Sequence, residues 1–238
     1  VLLPGDPARC EKIARYFDHP HFVAQNREYV TWSGSLLGEK VSVVSTGIGC
    51  PSTAIAAEEL IEVGADTLIR VGSAGSMQHY VHTGDVVIVS AAIRDEGTTS
   101  HYLPMEFPAI ADLDVVNALR AGAAALGLPH HTGVCQSKDS FYGEVERSRM
   151  PMAQHLEERW QAWIAAGSLC SEMESAALFI ISAIQRKRAG GIMQVINEFD
   201  LAETPAQSEG KHMNEFDADR VIKVAVEGLK QLIVADRK

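Results

Sequence analysis

Three arginines stand on this chain in settings that suit the binding of an oxyanion. Arg9 closes the run Pro4-Gly5-Asp6-Pro7-Ala8-Arg9, and Arg70 opens the run Arg70-Val71-Gly72-Ser73-Ala74-Gly75. Arg27 lies apart from any glycine loop, in Gln25-Asn26-Arg27-Glu28-Tyr29. Small residues let backbone N–H groups approach an anion closely, and a guanidinium fork matches two oxygens of a phosphate. Each glycine loop alone is more often a plain turn, and each arginine alone a solvated charge. Their coincidence favours a phosphate-binding site.

Other clusters carry weaker signals. Gly47-Ile48-Gly49-Cys50-Pro51-Ser52 is half of a dinucleotide fingerprint, but the third glycine is missing and Pro51 sits inside the turn. It reads as a tight strand-to-helix turn. Ser171-Glu172-Met173-Glu174 opens an apolar run, and Ser171 with Glu174 three residues on reads as a capping box. Turned inward instead, Glu174 would accept hydrogen bonds from two adjacent sugar hydroxyls; spacing alone favours the cap. Phe141 and Tyr142, after Ser137-Lys138-Asp139-Ser140, either stack on a flat ring or pack inward. The nine histidines show no HxxxH or HExxH pattern, which argues against a catalytic metal, and His101 reads as structural or superficial. There is no GxxxxGK[ST] loop and no GxSxG elbow.

Positioning these residues falls to alternating strands and helices. Apolar runs predict strands over Val1–Leu3, Val41–Ser45, Thr67–Val71, Asp85–Ala92, His131–Gln136 and Gly191–Ile196. Helical periodicity predicts Pro7–Phe17, Pro51–Val63, Asp114–Leu126, Gln154–Ala166, Glu172–Arg186 and Asp217–Ala235. The alternation implies an α/β fold with a mostly parallel sheet, whose ligands sit beyond the carboxyl ends of the strands. With no linker or repeat, residues 1–238 read as a single domain. Val1-Leu2-Leu3 reads as a strand already under way, so residues are expected to precede it.

Composition narrows the partners. A net charge of −10 argues against nucleic acid and against an anionic membrane, so any anion site must gather its arginines locally. No apolar run approaches the ~18 residues of a membrane helix. Four scattered cysteines without CxxC spacing suggest a reducing cytoplasm and neither a disulfide frame nor a zinc site.

Taken in order, several segments resemble the nucleoside phosphorylase-I family: Pro4–Arg9, Asn26–Glu28, Ser45–Gly49, Arg70–Gly75, Glu106–Ala109, Ser140–Tyr142 and Glu172–Ala176. Each is weak alone, whereas the ordered set is specific and spans nearly the whole chain. The resemblance implies a twisted mixed central sheet, partly closed into a barrel and flanked by helices. It implies phosphorolysis of a nucleoside, uridine first, to ribose 1-phosphate and free base, with inorganic phosphate as co-substrate and no required cofactor. On this resemblance Gly5, Arg9, Arg70 and Ser73 would bind phosphate, joined by Arg27 from a neighbouring subunit. Met173 and Glu174 would bind ribose. Gly75 and Phe141, with Arg147 or Arg149, would meet the base. Arg70 and Glu174 would carry catalysis. Glu28, Ile48 and Ser52 match a potassium site at a subunit interface. A homo-oligomer follows, a dimer at least and a hexamer in some members.

The chain departs from the family around the base. The loop Gly143-Glu144-Val145-Glu146-Arg147-Ser148-Arg149 has no glutamine, and Glu144 or Val145 takes its place. Asn197 is followed by Glu198-Phe199-Asp200 where the family has an arginine, and Ala74 replaces a common threonine or cysteine. Rival readings on the same fold are a purine nucleoside phosphorylase, which would want an acid near Asn197 such as Asp200, a nucleosidase using water, and a non-catalytic nucleoside-binding protein.

Overall fold

The structure, a computed structural model, describes residues 1–198 and 218–237. Among the described residues the strands join one ten-stranded sheet. In chain order the elements are β1 (Leu2–Leu3), α1 (Pro7–Ala14), β2 (Asp18–Asn26), β3 (Tyr29–Leu36), β4 (Glu39–Val44), α2 (Cys50–Glu62), β5 (Thr67–Ser76), β6 (Val86–Asp95), β7 (Ala109–Ile110), α3 (Leu113–Ala125), β8 (His130–Lys138), α4 (Phe141–Val145), α5 (Ala153–Ala165), β9 (Cys170–Glu172), α6 (Ser175–Ile184), β10 (Arg188–Asn197) and α7 (Asp219–Asp236). The expected α/β architecture is present, but the sheet is mixed and not mostly parallel, since β2–β3, β3–β4, β5–β9, β6–β7 and β6–β10 all pair antiparallel.

Closure comes from β10, which pairs parallel to β5 on one side and antiparallel to β6 on the other. Through β6–β8, β8–β9 and β9–β5 pairings the ring returns to β5, giving a small barrel. From β5 the sheet continues through β1, β4 and β3 to the edge strand β2. Helix α6 packs against the barrel strands and α2. It is apolar nearly all round, and Ser175 through Ser182 are buried, as expected of a helix enclosed by its neighbours.

Local chemistry sets the element ends near the site. Asp6 caps α1 by accepting from the Ala8 N–H at 2.9 Å, with Pro7 in the first turn. Gly47 and Gly49 adopt φ of +70° and +93°, so the segment between β4 and α2 is a tight turn. Two backbone bonds, Thr46 N–H to Pro4 O and Gly47 N–H to Gly5 O, lace this turn to the one after β1.

Three expectations need correction. The run Gly72–Gly75 is no turn: β5 continues to Ser76, and Ser73 and Ala74 pair with Gln194 and Val195 of β10. Its small residues serve packing, since a Cβ at Gly72 would lie 2.6 Å from Met193 Sδ. The hairpin β2–β3 went unforeseen, because every residue of β2 is exposed and no apolar alternation marks it. The helix expected from Glu172 starts at Ser175, because Glu172 ends β9 and its buried carboxylate accepts from the N–H groups of Glu174 and Ser175. Ser171 therefore caps nothing. The final helix runs close to its expected span, with Asp217 outside the described residues.

Candidate active site

A cavity of about 700 Å³ opens where β1, β4, β5 and β8–β10 end. Its wall brings together Gly5, Arg9, Arg70, Ser73, Gly75, Phe141, Met173, Glu174, Glu28, Ile48 and Ser52, all singled out from the sequence. Arg27, Arg147 and Arg149 do not line it. Arg27 is exposed at the β2–β3 turn, with φ +52°. Arg147 donates from Nε to Glu157 at 2.8 Å and from Nη1 to the Glu144 carbonyl at 2.6 Å, and it lies over the Trp160 ring. Arg149 is exposed, paired with Glu146 and stacked near Tyr142.

Arg70 is the electrostatic centre. It projects from β5, is 5 % exposed, and is held by two carboxylates: Nε donates to Glu172 Oε2 at 3.1 Å, and Nη2 pairs with Glu174. Its Nη1 is buried with no partner among the described residues. That atom lies beside Gly5, where a Cβ would stand 3.6 Å away. A buried guanidinium N–H left unpaired is costly unless a ligand accepts it. Burial works against the Arg70 charge, but Glu174 and Glu172 outweigh it and hold its pKa above the ordinary value. Arg9 approaches from α1, donating from Nη1 to the Val71 carbonyl at 3.0 Å. Burial and the neighbouring Arg70 lower its pKa to about 10, so it remains cationic at neutral pH.

The two glutamates differ. Glu172 is buried, yet Arg70, the Ser137 hydroxyl and two backbone N–H groups hold its pKa below the ordinary range. Glu174 is the N-cap residue of α6, and its Oε1 accepts from the Gly49 N–H at 2.6 Å. Burial and the charge of Glu172 push its pKa up against the pull of Arg70. Glu174 thus faces the cavity and closes no capping box with Ser171.

Sequence reasoning missed a third group. Lys138 at the end of β8 pairs with Glu144 of α4 at 2.8 Å, and both are nearly buried. Ser171 of β9 accepts from Lys138 and donates to the Glu144 carboxylate, about 2.9 Å from Oε1. All three line the cavity. The sequence signals were a lysine and a glutamate six residues apart around an aromatic pair, and Glu144 or Val145 standing where the family has a glutamine.

The base end departs from expectation in a second way. Asn197 ends β10 and lines the cavity, but Glu198 turns away and accepts from the Thr83 N–H at 2.7 Å. Phe199 and Asp200 lie outside the described residues. Among the described residues no group of three or more His, Cys, Asp or Glu side chains is placed to hold a metal ion. The four cysteines are free and buried, and burial raises the pKa of each thiol, so none is poised as a nucleophile. No described helix is long and apolar enough to cross a membrane.

Comparison with known proteins places this arrangement in context. The phosphorylase superfamily profile matches residues 1–233. The uridine phosphorylase of Treponema pallidum (strain Nichols) is 49 % identical over 236 residues, covering 99 % of this chain and 90 % of that protein. The uridine phosphorylase of Escherichia coli (strain K12) is 39 % identical over 241 aligned residues, covering 98 % and 92 %. A guanosine phosphorylase of Halorubrum lacusprofundi is 38 % identical over 195 residues, covering 82 % and 76 %.

Proposed function

The chain belongs to the phosphorylase superfamily, and from that premise we propose how its cavity cleaves a pyrimidine nucleoside, uridine first, with inorganic phosphate. The enzyme is a pentosyltransferase that yields ribose 1-phosphate and free base and uses phosphate as substrate. The observation that carries the reading is the buried, unpartnered Nη1 of Arg70, set beside Gly5 and Arg9 in the cavity that also holds Met173, Glu174 and Phe141.

Each residue has a role that follows from its chemistry. Arg70 and Arg9 donate to the phosphate oxygens, with Ser73 and the backbone at Gly5. Glu172 positions Arg70 through Nε. Glu174, anchored by the Gly49 N–H, accepts from the ribose hydroxyls, and Met173 packs beside the sugar. Phe141, half exposed at the start of α4, offers its ring to the base. The base end also includes Gly75; Arg147 and Arg149, off the cavity wall, would need to swing inward to join it.

When the C1′–N1 bond breaks, positive charge builds on the ribose and the bond's electron pair leaves with the base. Phosphate held against the sugar face stabilises that cation, and one of its oxygens then bonds to C1′. No covalent enzyme intermediate forms. The rate enhancement comes from positioning and from fixed donors in a water-poor site.

The site extends to a neighbouring subunit in this reading. Arg27 stands exposed at the β2–β3 turn, outside its own cavity, while its neighbour Glu28 lines it. A second copy presenting Arg27 to the phosphate makes the enzyme a dimer at least, with a hexamer built from such dimers. The Glu28 carboxylate, Ile48 carbonyl and Ser52 hydroxyl are oxygen donors of the kind potassium takes; a hard cation needs more than three, so a partner copy would complete the set. The four free thiols fit a cytoplasmic enzyme. The whole of residues 1–238 acts as one domain.

The test is release of base from uridine, thymidine, inosine and adenosine by purified protein, with and without phosphate. Phosphate-dependent release of uracil is expected. Release that ignores phosphate would identify a nucleosidase instead.

A further inference from the structure

Lys138, Glu144 and Ser171 form a buried charged cluster in the cavity wall that neither phosphate nor ribose binding uses. Contacts place it along the cavity. Arg70 bonds Glu172, the next residue along β9 is Ser171, and Ser171 bonds both Lys138 and Glu144. Glu144 shares α4 with Phe141. The cluster and Phe141 thus line the same cavity as Arg70, and Ser171 and Glu172 of β9 link the cluster to that arginine. A buried ion pair rarely stabilises a fold better than apolar side chains would, so a pair maintained in a cavity wall calls for a ligand. The ammonium has three N–H donors and two partners among the described residues. The carboxylate likewise has acceptor capacity beyond Lys138 and Ser171.

We propose that Lys138 and Glu144 read the base: Lys138 donates to a ring carbonyl oxygen while Glu144 accepts the adjoining ring N–H. This rests on the phosphorolysis reading above and names its substrate class. Uracil and thymine present a carbonyl next to an N–H, as do the 6-oxopurines. Cytosine and adenine present an acceptor nitrogen next to an amino group, which would set a ring lone pair against a carboxylate. The pair thus selects oxo bases by matching one pattern and repelling the other. It also acts on the rate. As the C1′–N bond breaks, its electron pair spreads from the ring nitrogen onto the carbonyl oxygens, so the Lys138 bond strengthens in the transition state. The Glu144 charge does not oppose this strongly, because the Lys138 ammonium offsets it and the Ser171 hydroxyl donates to it.

The test compares uridine, 5-fluorouridine, cytidine and inosine at saturating phosphate, in the unsubstituted enzyme, in Lys138→Met, and in Lys138→Met/Glu144→Gln, which leaves no buried lone charge. Thermal melts check that the variants fold. The unsubstituted enzyme is expected to disfavour cytidine strongly. Both variants are expected to lose about 10²–10³-fold in kcat/KM for uridine, the scale of removing one oxyanion donor. The loss for 5-fluorouridine should be clearly smaller, because its more acidic base needs less help to leave, and the phosphate KM should hold. Equal loss on uridine and 5-fluorouridine, or none, overturns the role of the pair while leaving uridine phosphorolysis standing. Turnover of inosine alone would sink the pyrimidine reading, yet the pair's rule would survive if inosine turnover shows the same Lys138 dependence. Failure of the unsubstituted enzyme to cleave any oxo-nucleoside ends both.

Discussion

Glu172 and Glu174 stand two residues apart around one arginine, yet their surroundings displace their pKa values in opposite directions. Four donors hold Glu172 ionised, whereas Glu174 has the Gly49 N–H and Arg70 set against burial and the charge of its neighbour. As pH falls, Glu174 is therefore the first of the pair to take a proton. In the role proposed for it, the ionised form accepts from the ribose hydroxyls, so protonation removes the acceptor. The raised pKa moves this acid-side loss to higher pH than an ordinary carboxylate near 4.3 would give. The kcat/KM of the unsubstituted enzyme for uridine, measured at a fixed concentration of phosphate dianion, should fall on acidification beginning above the usual carboxylate range. Glu174→Gln should be slower by about 10²-fold or more, with that limb absent, since an amide does not titrate there. An acid limb unchanged in Glu174→Gln would assign the ionisation to another group.

At the scale of elements, α3 and α7 cross where both have a glycine. A Cβ at Gly122 would stand 2.7 Å from Gly228 N, and one at Gly228 would stand 3.0 Å from Leu119 Cα. These are backbone contacts, so the helices themselves must separate to admit a methyl group. Neither helix lends a residue to the cavity. Gly122→Ala should therefore lower stability by about 1–3 kcal/mol through overpacking, less the ~0.5–1 kcal/mol alanine gains in a helix. A melt should show a drop of a few degrees with the uridine KM unchanged; a raised melting temperature would mean the crossing has slack. The sequence showed these helices through their periodicity, within a few residues of their observed ends. It showed less of the elements shaped by what they touch. Gly72–Gly75 look like a turn because they are small, but smallness here lets Met193 and Arg70 lie against β5. Glu174 looked like the far half of a capping box begun at Ser171, because a spacing of three describes the helix and says nothing of a carboxylate turned toward Arg70 of β5. Arg9, Arg70, Ser73 and Phe141 were legible because oxyanion and ring chemistry demand particular residue types, whereas Lys138 and Glu144 meet only through the closure of β8, α4 and β9.

On the scale of the whole molecule, the acidic chain sets Arg9, Arg70 and Lys138 among five carboxylates in one cavity, and Arg27 is an arginine that this cavity does not receive. It sits at φ +52° in a tight turn, a conformation an arginine adopts at some cost. The turn joins β3 to β2, a strand exposed along its full length, and the arginine itself is exposed. If Arg27 serves a neighbour's phosphate, two defects on different subunits should compensate. Arg27→Ala damages the partner's site and leaves its own residues intact; Glu174→Ala damages its own site and still lends Arg27. A mixed dimer then contains one complete site, formed in the Arg27→Ala subunit. Random mixing of the two inactive variants after dissociation and reassociation should restore about a quarter of the unsubstituted activity, since half the dimers are mixed and each holds one working site of two. Activity in the mixture no greater than the mean of the two variants would show that Arg27 acts within its own chain or not at all.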